Sequence, residues 1–287
     1  MEKTDLFLLR LRGLLPSLNP KLRAVAEHIL AHPGTVKLQR ISELASACGV
    51  ADSSVTRFVK ALGLRNFQEL KILMAGIPSG AENEPGAFVY DDITEGDSLE
   101  SIIEKISYIN VTALQETKRI LDMREIERAV SAVESARCID IYGAGGSFVA
   151  AENARLRFYR IGKRCQIYSD PNQQAVSASL LGRGDAAIGI SNSGRTISTV
   201  NALRRAKENK AATICITSYA KTPITRHADI CLYTSTRDSA FFQESMVSRI
   251  AQIFLIDVIY SRLAVKNFSD SVKLIAKSAD ALKSAFM

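Results

Sequence analysis

Residues 184–196 read GDAAIGISNSGRT. Asp185 to Ile190 reads as a strand, apolar without alternation from Ala186 on, and it gives way at once to Ser191-Asn192-Ser193-Gly194-Arg195-Thr196. A short apolar run bounded by turn residues is the pattern of a strand buried on both faces. The polar hexapeptide sits between that strand's end and the next helical stretch. A helix start offers unpaired N–H groups and the positive end of a dipole. With the hydroxyls of Ser191, Ser193 and Thr196, it describes a cradle for a phosphate. Taken alone, the same loop also reads as a polar turn with a Ser or Thr cap.

Outward from this point the texture repeats. Cys138 to Tyr142 reads as a strand, followed by Gly143-Ala144-Gly145-Gly146-Ser147 and a helix from Phe148 to Ile161. Cys165–Tyr168, Thr213–Thr217 and Ile230–Tyr233 read as three further strands. Strands alternating with helices predict an α/β fold, a doubly wound five-stranded parallel sheet. Ligands of such sheets bind beyond the carboxyl ends of the strands, where both Gly/Ser loops fall. Two such loops in adjacent units strengthen the reading of an anion site. A dinucleotide fingerprint fails because Phe148 stands at the third glycine position after Gly143 and Gly145, and no GxxxxGK[ST] occurs.

The first quarter of the chain has a different, all-α texture. Asn19-Pro20 is a helix start, with apolar residues at Leu22, Val25, Ala26, Ile29 and Leu30, and His32-Pro33-Gly34 is its stop. A second helix is predicted from Ser42, with Leu44, Ala45 and Cys48 on one face, ending at Gly49. A third is predicted from near Ser53, with Val55, Phe58, Val59 and Leu62 inward and Gly63 as its close. Asn66 caps a fourth, running through Leu70, Ile72 and Leu73. The stretch ISELASACGVADSSVTRFVKALG at 41–63 is thus a helix-turn-helix. The outward side of its second helix is expected to carry Ser53, Ser54, Thr56, Arg57 and Lys60, suited to base edges and phosphates of a major groove. Arg65 and Asn66 follow as backbone contacts. The alternative is an interaction module whose polar face is merely solvated.

These readings divide the chain into a DNA-binding domain at 1–78, a linker at 79–97 and a ligand domain with flanking helices at 98–287. In the last, helices are expected at Ser98–Leu121 and Arg124–Ser135. Charge follows the same division. The net +7 of the 287 residues splits into +5 over 1–80 (11 Lys/Arg, 6 Asp/Glu), −7 over 81–130 (5 and 12) and +9 over 131–287 (21 and 12). A basic first block fits a nucleic-acid partner. Five scattered cysteines without a CxxC fit a reducing cytoplasm. His28 and His32 lack an HExxH frame, so no metal is expected. The charged start from Met1 to Leu15 does not read as a signal peptide, and Ile250–Tyr260 is too short to span a bilayer.

At these residues the chain resembles a known family. YGAGGS at 142–147, GDAAIGISNSGRT at 184–196 and ICITSYAKTPITRHADICL at 214–232 resemble a sugar isomerase (SIS) domain. The first block resembles the helix-turn-helix that precedes this domain in RpiR/MurR-type transcriptional regulators. The resemblance implies a cytoplasmic, homo-oligomeric regulator of sugar catabolism genes, a dimer or tetramer, commonly a repressor. It implies operator DNA and a phosphosugar effector as partners, with no cofactor and no catalytic residue. It places the sugar near Gly145, Gly146 and Ser147, the phosphate on Ser191, Asn192, Ser193, Gly194 and Thr196, and a carboxylate, matched here by Glu244, near the sugar. Relatives often carry a histidine shortly after the Asp at the second strand end. Here Asp170-Pro171-Asn172 stands instead. The competing reading is a sugar-phosphate isomerase with an added helical domain, for which Glu152 and Glu244 would be the candidate bases.

Overall fold

The computed structural model describes residues 7–8, 11–74, 93, 96–235 and 247–283. The chain forms two units, Met1–Lys105 and Ile106–Met287.

In the first unit, helix α1 (Pro20–Ala31) starts where Asn19 accepts the Leu22 N–H at 3.0 Å, with Pro20 in the first turn. It stops before Pro33, which begins a separate single turn, α2 (Pro33–Val36). Helix α3 (Ile41–Ala47) starts one residue earlier than expected. The cause is the Glu43 carboxylate, which accepts the Arg40 N–H at 2.6 Å and satisfies a donor ahead of Ser42. Gly49, at φ +63, turns the chain into α4 (Asp52–Ala61). Asn66 accepts the Glu69 N–H at 3.0 Å and caps α5 (Phe67–Met74). Val25, Ala26, Ile29, Leu44, Val55, Phe58, Val59, Leu70 and Met74 close one core, while Ile72 points to solvent. Burying a side chain the size of Phe58 contributes about 1.5–3 kcal/mol.

The division between the units falls inside α6 (Leu99–Ile120). Helix α7 (Met123–Ser135) is capped by Asp122, which accepts the Arg124 N–H at 2.8 Å. Then come β1 (Ile139–Tyr142), α8 (Gly146–Arg160), β2 (Cys165–Tyr168), α9 (Pro171–Leu180), β3 (Ala186–Ile190) and α10 (Ile197–Glu208). The chain continues with β4 (Ala212–Thr217), β5 (Ile230–Tyr233), α11 (Ser248–Lys266) and α12 (Phe268–Leu282). The sheet is parallel throughout, in the order β2-β1-β3-β4-β5. The strand order therefore reverses between β1 and β3, which pair as Ile139 with Ala186 and Ile141 with Ile188.

Each face of the sheet is covered. Ile139, Ile141, Ile188, Ile214 and Leu232 pack with Val130 of α7, Ala154 and Phe158 of α8, and Leu255 and Ile259 of α11. Tyr142, Ala187 and Cys215 pack on the other side with Ala178 of α9 and Leu203 of α10. Double coverage explains why the strands read as continuous apolar runs. The apolar stretch around Ile250–Tyr260 is the buried part of α11, and no helix among the described residues is long and apolar enough to cross a membrane.

Among the described residues, the strands of the sheet carry one acid. Asp140, on the same face of β1 as Tyr142, accepts a hydrogen bond from Ser177 of α9. The Tyr142 hydroxyl lies 3.1 Å from Ser177 and 3.4 Å from Asp140. Burial pushes the Asp140 carboxyl above its ordinary range, against the lowering effect of its hydrogen bonds.

Candidate functional site

The Gly/Ser loop after β1 is built for close approach. Gly145 has φ +54, a conformation L side chains rarely adopt. At Gly143 a Cβ would lie 3.1 Å from the Ser147 carbonyl oxygen, so glycine lets the chain fold back tightly into α8. Ser147 is in the first turn of α8, nearly buried, and its Oγ accepts from Gln252 Nε2 of α11 at 3.2 Å. Gln174 of α9, fully buried, donates to the carbonyls of Gly143 (3.1 Å) and Tyr168 (2.9 Å) and so ties this loop to the end of β2.

The loop after β3 is held from the next strand. The Asn192 carbonyl accepts from the Ser218 N–H at 3.0 Å and the Thr217 hydroxyl at 3.1 Å. The Asn192 side-chain oxygen accepts from Ser218 Oγ at 2.6 Å, and Ser218 is 2.8 Å from Thr234 Oγ1 beyond β5. Gly194 has φ +65, and a Cβ there would lie 2.3 Å from Thr222 Oγ1. Ser191 and Thr196 face one another across the loop, Oγ to Oγ1, at 3.0 Å. Thr196 is the N-cap residue of α10 but makes no side-chain cap hydrogen bond. Its hydroxyl is turned to Ser191 instead, so no N-cap side chain occupies the N–H groups of the helix start. Ser193 is exposed and accepts the Arg195 N–H at 3.2 Å.

The fold thus brings Gly145, Gly146, Ser147, Ser191, Asn192, Ser193, Gly194 and Thr196 to the carboxyl ends of the neighbouring strands β1 and β3, at the reversal of strand order. Glu244 lies outside the described residues. Asp170 is used as a helix cap, accepting the Gln173 N–H at 2.9 Å ahead of α9. The residues that sequence reading missed are Gln174, Gln252, Thr217, Ser218 and Thr234. They are single polar residues within apolar runs or in turns, and no spacing marks them.

In the helix-turn-helix, α4 exposes Ser53, Thr56, Arg57 and Lys60. Ser54 was expected beside them and is buried. Its position four residues before Phe58 and next to Val55 puts it on the inward stripe of a 3.6-residue helix. Arg57 folds back along the helix, its Nε donating to the Ser53 carbonyl at 3.3 Å. The Arg65 side chain is 89% exposed, whereas Asn66 spends its side-chain oxygen on capping α5.

Cys138, Cys165, Cys215 and Cys231 lie on or beside the strands of the sheet, and Cys48 packs in the first unit. Cys215 and Cys231 are register partners on β4 and β5. The Cys231 thiol accepts a hydrogen bond from Cys215, which pulls its pKa down to about 7. Burial pushes Cys138 and Cys165 each up to about 11. Among the described residues no cluster of three or more His, Cys, Asp or Glu could hold a metal ion.

Comparison with known proteins matches residues 6–79 to the helix-turn-helix domain of the rpiR family and residues 133–262 to the SIS domain. An HTH-type transcriptional regulator of Caldanaerobacter subterraneus is 36% identical over 273 residues, 95% of either chain. The chain belongs to the rpiR family of HTH-type transcriptional regulators. A second relative, an HTH-type transcriptional regulator of Thermotoga maritima, is 35% identical over 85% of this chain and 87% of its own. Among solved structures, the fold resembles the Vibrio vulnificus NanR protein complexed with ManNAc-6P (TM-score 0.62, 22% identity, 98% and 99% coverage). It also resembles the sugar isomerase domain of an RpiR transcription factor from Sphaerobacter thermophilus (TM-score 0.58, 21% identity, 62% and 98% coverage). In rpiR terms, α3 and α4 are the helix-turn-helix, and the parallel sheet with its two Gly/Ser loops is the SIS domain.

Proposed function

We propose that this rpiR-family regulator is a phosphosugar-responsive DNA switch that acts as a repressor in the cytoplasm. The observation that carries the reading is the start of α10. Its N-cap side chain is turned away, hydroxyls of Ser191, Ser193 and Thr196 surround it, and it sits at the reversal of strand order. Unpaired N–H groups, a positive dipole end and several hydroxyl donors together favour a phosphoryl group. Ser147, at the neighbouring strand end, supplies a contact for the rest of the ligand. That NanR was solved with ManNAc-6P supports a hexose or hexosamine phosphate as the class. The effector is a ligand and not a cofactor, and no chemistry is done on it, a reading supported by the two relatives named as transcriptional regulators.

On the DNA side, two copies present two α4 helices to a palindromic operator, with Ser53, Thr56, Arg57 and Lys60 in the groove and Arg65 at the backbone. Half-sites of such dimers lie about 34 Å apart, so a small change in the placement of the two helices alters affinity. The effector shifts this only by its differential affinity for the two placements, about 1–3 kcal/mol in ordinary coupling.

The test has two parts. Thermal unfolding of the full chain is followed with hexose 6-phosphates, N-acetylhexosamine 6-phosphates including ManNAc-6P, pentose 5-phosphates and the unphosphorylated sugars. At least one phosphosugar raises the midpoint, and its unphosphorylated form does not. Operator binding is then titrated with and without that compound. Equal stabilisation by the phosphate-free sugar, or an unchanged operator affinity, overturns the switch. Turnover of any sugar phosphate in a coupled assay favours the isomerase instead.

A further inference from the structure

Gln252 stands in the second turn of α11, beside the buried Ala251, Leu255 and Ile256, and is completely buried. Its Nε2 donates to Ser147 Oγ at 3.2 Å, while its Oε1 is buried and without a hydrogen-bond partner. For packing alone this is a poor choice. A half-satisfied buried amide is less favourable than an apolar side chain of the same shape. The role therefore belongs to the half that is satisfied.

That half sets the direction of a proton. A serine hydroxyl has one O–H to donate and two lone pairs to accept with. By accepting from Gln252, Ser147 commits a lone pair to the protein and turns its O–H elsewhere. Ser147 makes no other side-chain hydrogen bond among the described residues, and it lies directly after the glycine turn at the end of β1. Without Gln252 the hydroxyl is a free rotor, and ordering it on ligand binding costs entropy.

We propose that Gln252 is a positioning residue of the ligand site. It holds the Ser147 hydroxyl as an oriented donor, so that the site selects phosphorylated sugars presenting an acceptor oxygen at that point. The division of labour is between the loops: the one after β3 takes the phosphoryl group, and Ser147 with Gln252 behind it recognises the carbon skeleton. This rests on the phosphosugar reading above and extends it to a residue that contacts the ligand only through another.

The test uses the full chain and titration calorimetry with glucose 6-phosphate and ManNAc-6P, with inorganic phosphate measured as a competitor. The variants are Gln252→Met, which removes the donor but keeps shape, Gln252→Glu, which replaces the amide N–H donors with a carboxyl group, Ser147→Ala, and Ser147→Ala combined with Gln252→Met. Wild type binds at least one of the two sugar phosphates. Gln252→Met weakens it five- to tenfold and Gln252→Glu at least as much, while Gln252→Met keeps inorganic phosphate within twofold. Ser147→Ala weakens the sugar phosphate similarly, and the double variant is no worse than Ser147→Ala alone, because both act through one hydroxyl. A merely structural glutamine would lower affinity for both ligands together and multiply with Ser147→Ala, and that outcome overturns the proposal. If Gln252→Met does not fold, the comparison of Gln252→Glu with Ser147→Ala decides in the same way. Should wild type bind neither sugar phosphate, the hexose or hexosamine phosphate class proposed above fails and this inference with it. If wild type binds and the Gln252 variants bind equally well, this inference alone fails.

Discussion

Ser218, one residue beyond β4, donates its hydroxyl to the side-chain oxygen of Asn192 at 2.6 Å. The two residues are 26 positions apart and belong to the ends of neighbouring strands. Since a serine has one proton to give, the hydroxyl of Thr234 must donate to Ser218, so three strand ends are joined through one oxygen. Ser218→Ala removes the hub. The expected cost is about 1 kcal/mol of stability, with ligand affinity reduced as well because the Asn192 side chain loses the Ser218 hydroxyl. Urea denaturation and calorimetry on the same variant measure the two effects separately.

Gly194→Ala tests the tightest point of the loop. The substitution places a Cβ against Thr222 and holds a non-glycine residue at positive φ. Roughly 1–3 kcal/mol of backbone strain is expected, together with loss of the phosphosugar response. A variant as stable as wild type, with an intact response, would show that the loop has another conformation in solution.

Arg57→Ala addresses the DNA face. Operator affinity is expected to fall by about 1–3 kcal/mol, the range of a base contact. Effector binding should be unchanged, because Arg57 belongs to the first unit and the ligand loops to the second. Ser54→Ala is the informative companion. Ser54 faces the core, so its effect should be on folding and not on sequence preference. Gel-shift titrations on operator variants separate the two.

The thiols should differ in reactivity. Cys231, with its pKa pulled down to about 7 by the bond from Cys215, carries substantial thiolate at pH 7.5. Cys138 and Cys165, each near 11, carry almost none. Iodoacetamide followed by peptide mass spectrometry is expected to label Cys231 first. Cys215→Ala removes the donor and should slow that labelling.

Asp140 gives a sign for pH dependence. Its folded-state carboxyl titrates above the ordinary carboxylate value because burial disfavours the charge. Between the ordinary and the raised value the folded chain therefore holds more protons than the unfolded one, so this group's contribution falls as pH rises through that window. Asp140→Asn removes the slope. Denaturation series from pH 4 to pH 8 should show wild type losing ground to the variant on the alkaline side.

The sheet was legible because burial on both faces leaves short apolar runs bounded by turn residues. All five strands fall within one residue of where those runs place them. The two Gly/Ser loops were legible for the same reason, as polar interruptions at the strand ends. What supports them was not. Gln174 and Gln252 look like surface residues of amphipathic helices, and only tertiary contact turns them inward. Ser54 failed in the opposite direction. Its polarity suggested the solvent face, but its angular position beside Val55 and ahead of Phe58 fixes it inside. Helix α9 went unread, although Asp170-Pro171 carries the same start signal as Asn19-Pro20.

The Asp140 cluster has a consequence for how the chain finds its alignment. In β1 every residue is buried, so polarity does not distinguish one face of the strand from the other. A slip by one residue would exchange Ile139 and Ile141 for Asp140 and Tyr142 at little hydrophobic cost, since both sides are dry. It would also leave a carboxylate against Val130, Phe158 and Leu255 with no hydroxyl to meet it, a far larger penalty. The one acid in the strand thus works as a spelling check: it lowers the stability of the correct pairing a little and makes the off-by-one pairing untenable.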